Sequence, residues 1–189
     1  MRALILGGTF NPVHIGHLFI AEEVRTTLGY DEVLFIPAFL PVHKDTRPVL
    51  DAAHRLRMLA LAVCGHPPFR VEDCEIRRGG PSYAIDTVEE LAADGRFTGK
   101  PGLLIGDDLL PGFASWRDAD RLARMVDLVV VHRSGVPEAA TCFPHRVVEN
   151  PVLGVSSSDI RRRIAEGRSI RFLVPDEVRL YIERNGLYA

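Results

Sequence analysis

"ALILGGTFNPVHIGH", residues 3–17, puts four consecutive apolar residues ahead of two glycines, a proline and two histidines. Leu18, Ala21, Val24 and Leu28 then follow on one helical stripe. An apolar run, a glycine turn and an amphipathic helix form one β-α unit, and the same alternation continues down the chain. "EVLFIP" (32–37), "FRVEDCEI" (69–76), "GLLIG" (102–106) and "DLVVVHR" (127–133) read as further strands. Leu56, Leu59 and Val63, and then Ile85, Val88 and Leu91, mark helices between them. Short apolar strands alternating with amphipathic helices give right-handed βαβ units, hence an α/β doubly wound parallel sheet with helices on both faces. "VSSSDIRRRI" and "VPDEVRLYIERNGLY" read as a helical C-terminal part, the second helix opened by Pro175 and closed by Asn185-Gly186. The segment 37–48 reads as a surface loop, and no linker divides residues 1–189, so a single domain is expected.

Composition excludes several classes. The 189 residues are 47% hydrophobic and 25% charged with formal net charge -2, an ordinary balance that lacks the basic excess of nucleic-acid or membrane-surface binders. Cys64, Cys74 and Cys142 are odd in number and far apart, which suits neither a disulfide framework nor a cysteine zinc site. The first apolar run breaks at Gly7, too short for a secretory leader, and no run reaches the length of a membrane span. A cytoplasmic protein with no nucleic-acid or membrane partner is expected.

Ligands of such sheets bind beyond the carboxyl ends of the strands, where glycines let backbone N–H groups approach an anion at a helix N-terminus. "GGTFNP" has neither the dinucleotide nor the P-loop glycine spacing, and a tight turn without ligand is the plain alternative. His14 and His17 are three residues apart, so both rings project from one side of the helix start. Zinc catalysis would want histidines four apart, a glutamate and a third ligand, so no metal-ligating residue is assigned. Two imidazoles over a phosphate-binding turn suit phosphoryl or nucleotidyl transfer. A second anion site is written in "VSSSDIRRR": Ser156 can cap a helix carrying Ser157 and Ser158, Asp159 stands at the capping-box position, and Arg161 lies one turn in. An ordinary capping box with a solvated arginine face is the alternative. Together the two sites favour a nucleoside triphosphate.

These residues carry a resemblance. "GGTFNPVHIGH" is similar to the first motif of the HxGH nucleotidyltransferase superfamily, and "VSSSDIRRRI" to its second. "IPAFLPVHKD", "RLRMLALA", "GGPSYAIDTVEEL", "LLIGDDLLPGFASW" and "LVPDEVRLYIERNGLY" resemble, in order, the bacterial nicotinate mononucleotide adenylyltransferases. The resemblance spans essentially the whole chain. It implies a Rossmann-like fold and an enzyme of NAD biosynthesis that joins ATP and nicotinate mononucleotide, with Mg²⁺, to give deamido-NAD and pyrophosphate.

It also implies roles by position. His14, His17 and Arg161 would be catalytic. Gly7, Gly8, Thr9, Phe10, Gly106, Asp108, Ser156 and Ser157 would join them around ATP. Lys44, Ser82, Tyr83, Ala84, Trp116 and Arg117 would bind the mononucleotide, with Trp116 under the nicotinate ring. Asn11, Ala84 and Arg117 depart from the residues common at those places, and the last two border the nicotinate pocket. Dual or nicotinamide mononucleotide preference, or a non-catalytic nucleotide sensor, are the alternatives that this leaves.

Overall fold

The computed structural model describes residues 1–42, 49–132 and 141–189. Its elements, in chain order, are β1 (Ala3–Gly8), α1 (Ile15–Leu28), β2 (Glu32–Pro37), β3 (Leu40–Pro41), α2 (Ala52–Val63), β4 (Phe69–Val71), α3 (Cys74–Arg78), β5 (Pro81–Ser82), α4 (Ala84–Ala93) and β6 (Gly102–Gly106). A 3-10 turn (Leu110–Ser115), α5 (Ala119–Met125), β7 (Asp127–Val131), β8 (Arg146–Val148), α6 (Ser157–Ala165) and α7 (Asp176–Arg184) follow. Six strands form a parallel sheet in the order β4-β2-β1-β6-β7-β8, and β3 pairs with β5 in a separate two-stranded ribbon.

The expected doubly wound α/β architecture is present. Strand residues alternate between two faces: Leu4, Leu6, Val33 and Phe35 pack with Ala21 and Val24 of α1, Met58 and Leu59 of α2, Ile160 of α6 and Val178 of α7. Ala3, Ile5, Leu34 and Ile36 pack on the other face with Ile85, Val88 and Leu91 of α4 and Leu122 of α5. The chain runs outward from β1 through β2 to β4, then returns across to β6 on the other side of β1. That reversal opens a crevice beyond the carboxyl ends of β1 and β6, which is where a doubly wound sheet binds its ligand.

Three local expectations are corrected. β1 runs through both glycines, with Gly7 opposite Ile36 and Gly8 opposite Pro37, so the turn begins only at Thr9. The expected strand 69–76 ends at Val71 and becomes α3, because Asp73 and Arg77 pair across one helical turn at 2.8 Å and the buried Glu75 carboxylate accepts the Thr87 hydroxyl of α4 at 2.6 Å. The loop expected over 37–48 contains β3, which is paired to β5. β8 was not expected at all. Ser156, Pro175 and Asn185 cap α6 and α7 as read from the sequence. No helix among the described residues is long and apolar enough to cross a membrane.

Gly102, at the start of β6, is a purely structural glycine. A Cβ there would meet the Tyr30 hydroxyl and ring and lie 2.8 Å from Leu4 Cδ1. Gly102→Ala is expected to cost about 1–3 kcal/mol through overpacking, lowering Tm by several degrees in a thermal melt. An unchanged Tm would mean that the Tyr30 ring is not fixed against β6.

Candidate active site

The turn after β1 is held from behind by its carbonyls. Arg55 Nη1 donates to Thr9 O at 2.8 Å, Arg161 Nη1 to Asn11 O at 2.7 Å, and Ser157 Oγ to Pro12 O at 2.8 Å. Tyr188 adds a fourth tie, donating its hydroxyl to Asn11 Oδ1 at 2.8 Å. Burial pushes the Tyr188 phenol well above its usual range, which keeps the proton on the donor. Because the C=O and N–H of a trans peptide point in opposite directions, tying down Thr9 O and Pro12 O turns the Phe10 and Val13 N–H groups the other way. The Thr9 hydroxyl is buried and has no hydrogen-bond partner among the described residues, which leaves a donor in want of an acceptor.

Each remaining residue of the motif has a steric or electronic reason. Phe10 adopts a left-handed backbone, φ 48°, which is costly for a residue with a Cβ. Its ring is 2% exposed and packs edge-on to His17 with centroids 5.0 Å apart. A Cβ on Gly8 would stand 3.0 Å from that ring, so residue 8 is small to admit Phe10. A Cβ on Gly16 would lie 3.0 Å from Val155 Cγ1 and 3.1 Å from the His14 ring, so the glycine between the histidines lets the second motif pack against α1. Gly7 is different. It is exposed at the strand end, and a Cβ there would meet nothing within 4 Å.

His14 is the N-cap of α1 and 5% exposed, and its ring centroid lies 3.7 Å from that of His17. The His14 N–H donates to His17 Nδ1 at 3.2 Å. With Nδ1 the acceptor, the neutral His17 ring carries its proton on Nε2 and can donate from that edge.

The second motif reaches the first as a brace. Ser156 Oγ accepts the Asp159 N–H at 3.1 Å, while the Asp159 carboxylate pairs with Arg162 and Arg163 instead of closing a reciprocal capping box. Ser157 and Arg161 hold the Asn11–Pro12 carbonyls, and Arg161 Nη2 also meets Ser158 Oγ at 3.2 Å. Gly106 ends β6, adjacent to β1, and Asp108 is exposed two residues on. Ser82 Oγ accepts the Phe39 N–H at 2.9 Å, and Tyr83 and Ala84 open α4. Trp116 is half-buried and 5.1 Å from the Phe113 ring. The Arg117 guanidinium lies 4.8 Å over the Tyr83 ring and meets Asp86 Oδ2 at 3.1 Å, so it is shared with a carboxylate in the first turn of α4. Lys44 lies outside the described residues. No group of three His, Cys, Asp or Glu side chains able to hold a metal occurs among the described residues. Sequence reasoning missed Arg55 and Tyr188, both of which hold the loop.

Comparison with known proteins bears on the family and the fold. Residues 5–163 match the cytidylyltransferase-like family. Proteins named "Probable nicotinate-nucleotide adenylyltransferase" are similar over almost all of this chain. That of Borreliella afzelii is 42% identical, over 100% of this chain and 97% of its own. That of Geobacillus kaustophilus is 45% identical, over 97% of this chain and 84% of its own. Among solved structures, the Plasmodium falciparum nicotinic acid mononucleotide adenylyltransferase complexed with NaAD superposes with TM-score 0.80 at 16% identity, covering 99% of this chain and 97% of that one. The same parasite enzyme complexed with APC gives TM-score 0.76 at 18% identity, covering 99% of this chain and 96% of that one. The fold is therefore common to both, and the sequence relation to the bacterial proteins is close enough to decide membership: the chain belongs to the nicotinate-nucleotide adenylyltransferase family of the cytidylyltransferase-like proteins.

Proposed function

We propose that this chain joins ATP and nicotinate mononucleotide to give deamido-NAD and pyrophosphate, and that the HxGH turn performs the transfer. The observation that carries the reading is the turn itself, with carbonyls tied behind it, a buried Thr9 hydroxyl without a partner among the described residues, and imidazoles at the start of α1. A phosphate oxygen of the mononucleotide attacks the α-phosphorus of ATP, the new P–O bond forms, and the bond to the bridging oxygen of pyrophosphate breaks. The nucleophile is already an anion at neutral pH, so no general base is required. The protein's work is positioning and charge stabilisation on the transferred group.

His17, donating from Nε2, and His14 beside it would meet the developing charge. The Phe10 and Val13 N–H groups and the helix start would face the phosphates, with Gly8 and Thr9 lining the same turn. Arg161, with Ser156 and Ser157, would lie at the departing end. Gly106 and Asp108, at the neighbouring strand end, would border the adenosine. Mg²⁺ fits as part of the substrate: without a carboxylate cluster among the described residues, it would be held by phosphate oxygens and water. Its contribution there is to neutralise charge on the departing pyrophosphate.

For the mononucleotide, α4 offers first-turn N–H groups at Ala84 and beyond that have no acceptor within the helix. These donors favour a nicotinate carboxylate over a nicotinamide amide, and Trp116 and Tyr83 supply aromatic surface nearby. Arg117 adds positive charge to the same helix start, moderated by Asp86.

His17→Ala is expected to lower kcat by about 10²-fold or more in a pyrophosphate-release assay, since it removes a preorganised donor. Retained kcat with only a raised KM would reject its part in the transition state. Gly7→Ala should leave Tm unchanged, because no described protein atom stands near the new Cβ, yet weaken ATP binding about tenfold or more. Undiminished ATP affinity would show that nothing approaches Gly7. With ATP and Mg²⁺ fixed, kcat/KM should favour nicotinate over nicotinamide mononucleotide by at least about 10-fold, and Arg117→Ala should narrow the gap. Equal use of both by the unaltered protein would reject the nicotinate assignment.

A further inference from the structure

Arg55 lies on α2, outside both motifs, and is 1% exposed. Among the described residues its guanidinium makes three hydrogen bonds, all to main-chain carbonyls far apart in sequence: Nη1 to Thr9 O at 2.8 Å, Nε to Leu50 O at 2.9 Å and Nη2 to Phe39 O at 3.3 Å. No carboxylate among the described residues bonds to the guanidinium directly, and burial lowers its pKa from the usual value, so holding the cation there carries a cost. Thr9 belongs to the phosphate turn. Phe39 leads into β3, its N–H donates to Ser82 Oγ at 2.9 Å, and β3 pairs with β5 immediately before Tyr83 and Ala84. One continuous set of polar contacts therefore runs Thr9, Arg55, Phe39, Ser82, from the turn assigned to ATP to the helix start assigned to the mononucleotide.

We infer that Arg55 is a positioning residue that fixes these two substrate-bearing loops relative to each other, so that the mononucleotide phosphate stands in line with the α-phosphorus. The inference rests on the adenylyltransferase reading above. Each loop would still bind its own substrate without Arg55, whereas in-line attack needs both substrates at one mutual distance and angle, and a misplacement of about 1 Å costs about 10²-fold in rate. A lysine keeps the charge but, as a single ammonium on a flexible stem, cannot span three carbonyls in the plane of a fork.

The test is Arg55→Lys, assayed at a temperature where circular dichroism shows it folded. Expected are a fall in kcat of about tenfold or more and separate titrations in which the Kd for ATP and for nicotinate mononucleotide each stay within about threefold of the parent. Ser82→Ala should also lower kcat, and the double variant should lose less than the product of the two single losses, because both lie on one set of contacts. A kcat within twofold of the parent, or a loss found entirely in the Kd for ATP, overturns the inference. Should Arg55→Lys not fold, hydrogen exchange of the unaltered protein with ATP alone decides: slowed exchange at 8–17 together with 39–42 and 82–87 supports the coupling. Slowing confined to 8–17 overturns the coupling alone. No slowing anywhere overturns the nucleotide reading and the coupling with it.

Discussion

A trans peptide sends its carbonyl and its N–H in opposite directions, and that constraint places the Phe10 and Val13 N–H groups of the turn after β1 once the Thr9 and Pro12 carbonyls are tied. Left to itself, a six-residue turn carrying a left-handed phenylalanine would present a mixture of donors and acceptors to the crevice, and a polyphosphate would be repelled by half of them. Three side chains from two distant parts of the chain take up the acceptors: Arg55 from α2, and Ser157 and Arg161 from α6. Tyr188, one residue before the last, takes the amide oxygen of Asn11. The sheet supplies the crevice, and these ties turn the carbonyls of the loop toward side-chain donors.

The same ties explain why a helical C-terminal part is attached to a doubly wound sheet. α6 and α7 bury Ile160, Val178 and Ile182 in the core shared with α1 and α2. In doing so they bring Val155 against Gly16 and Ser157 against Pro12. Burial of apolar area provides the driving force, and the hydrogen bonds set the register. The second motif thus acts on the first by contact, whatever part it also takes in holding substrate.

Much of this was legible in the sequence. Apolar runs at strand length alternating with helical stripes gave the sheet, and the Ser156, Pro175 and Asn185 signals gave the last two helices. What escaped shares one cause, dependence on contacts remote in sequence. "FRVEDCEI" alternates like a strand, and only the Glu75 contact with Thr87 on α4 holds its second half as a helix. Arg55, inside "AAHRLRMLALAV", looks like the solvated side of an amphipathic helix, and nothing local tells that loops from residues 9, 39 and 50 close over it. Tyr188 stands after the helix-stop signal, where chain ends usually fray. Gly8 reads in sequence as a turn glycine that lets backbone N–H groups approach an anion, and Gly16 is given no role, whereas neither backbone needs an unusual angle and their small size is what the Phe10 ring and Val155 require.

The claim on which all of this turns is that the tied loop is an anion site in its own right, before any base or ribose is recognised. Inorganic triphosphate isolates that property. In a titration followed by backbone amide ¹H–¹⁵N resonances, the largest shifts should fall on Gly8 to His17 and on Ser156 to Arg161. Shifts confined instead to the opposite end of the sheet, where Arg2, Lys100, Arg124 and Arg146 line a cavity of about 650 Å³, would contradict the account.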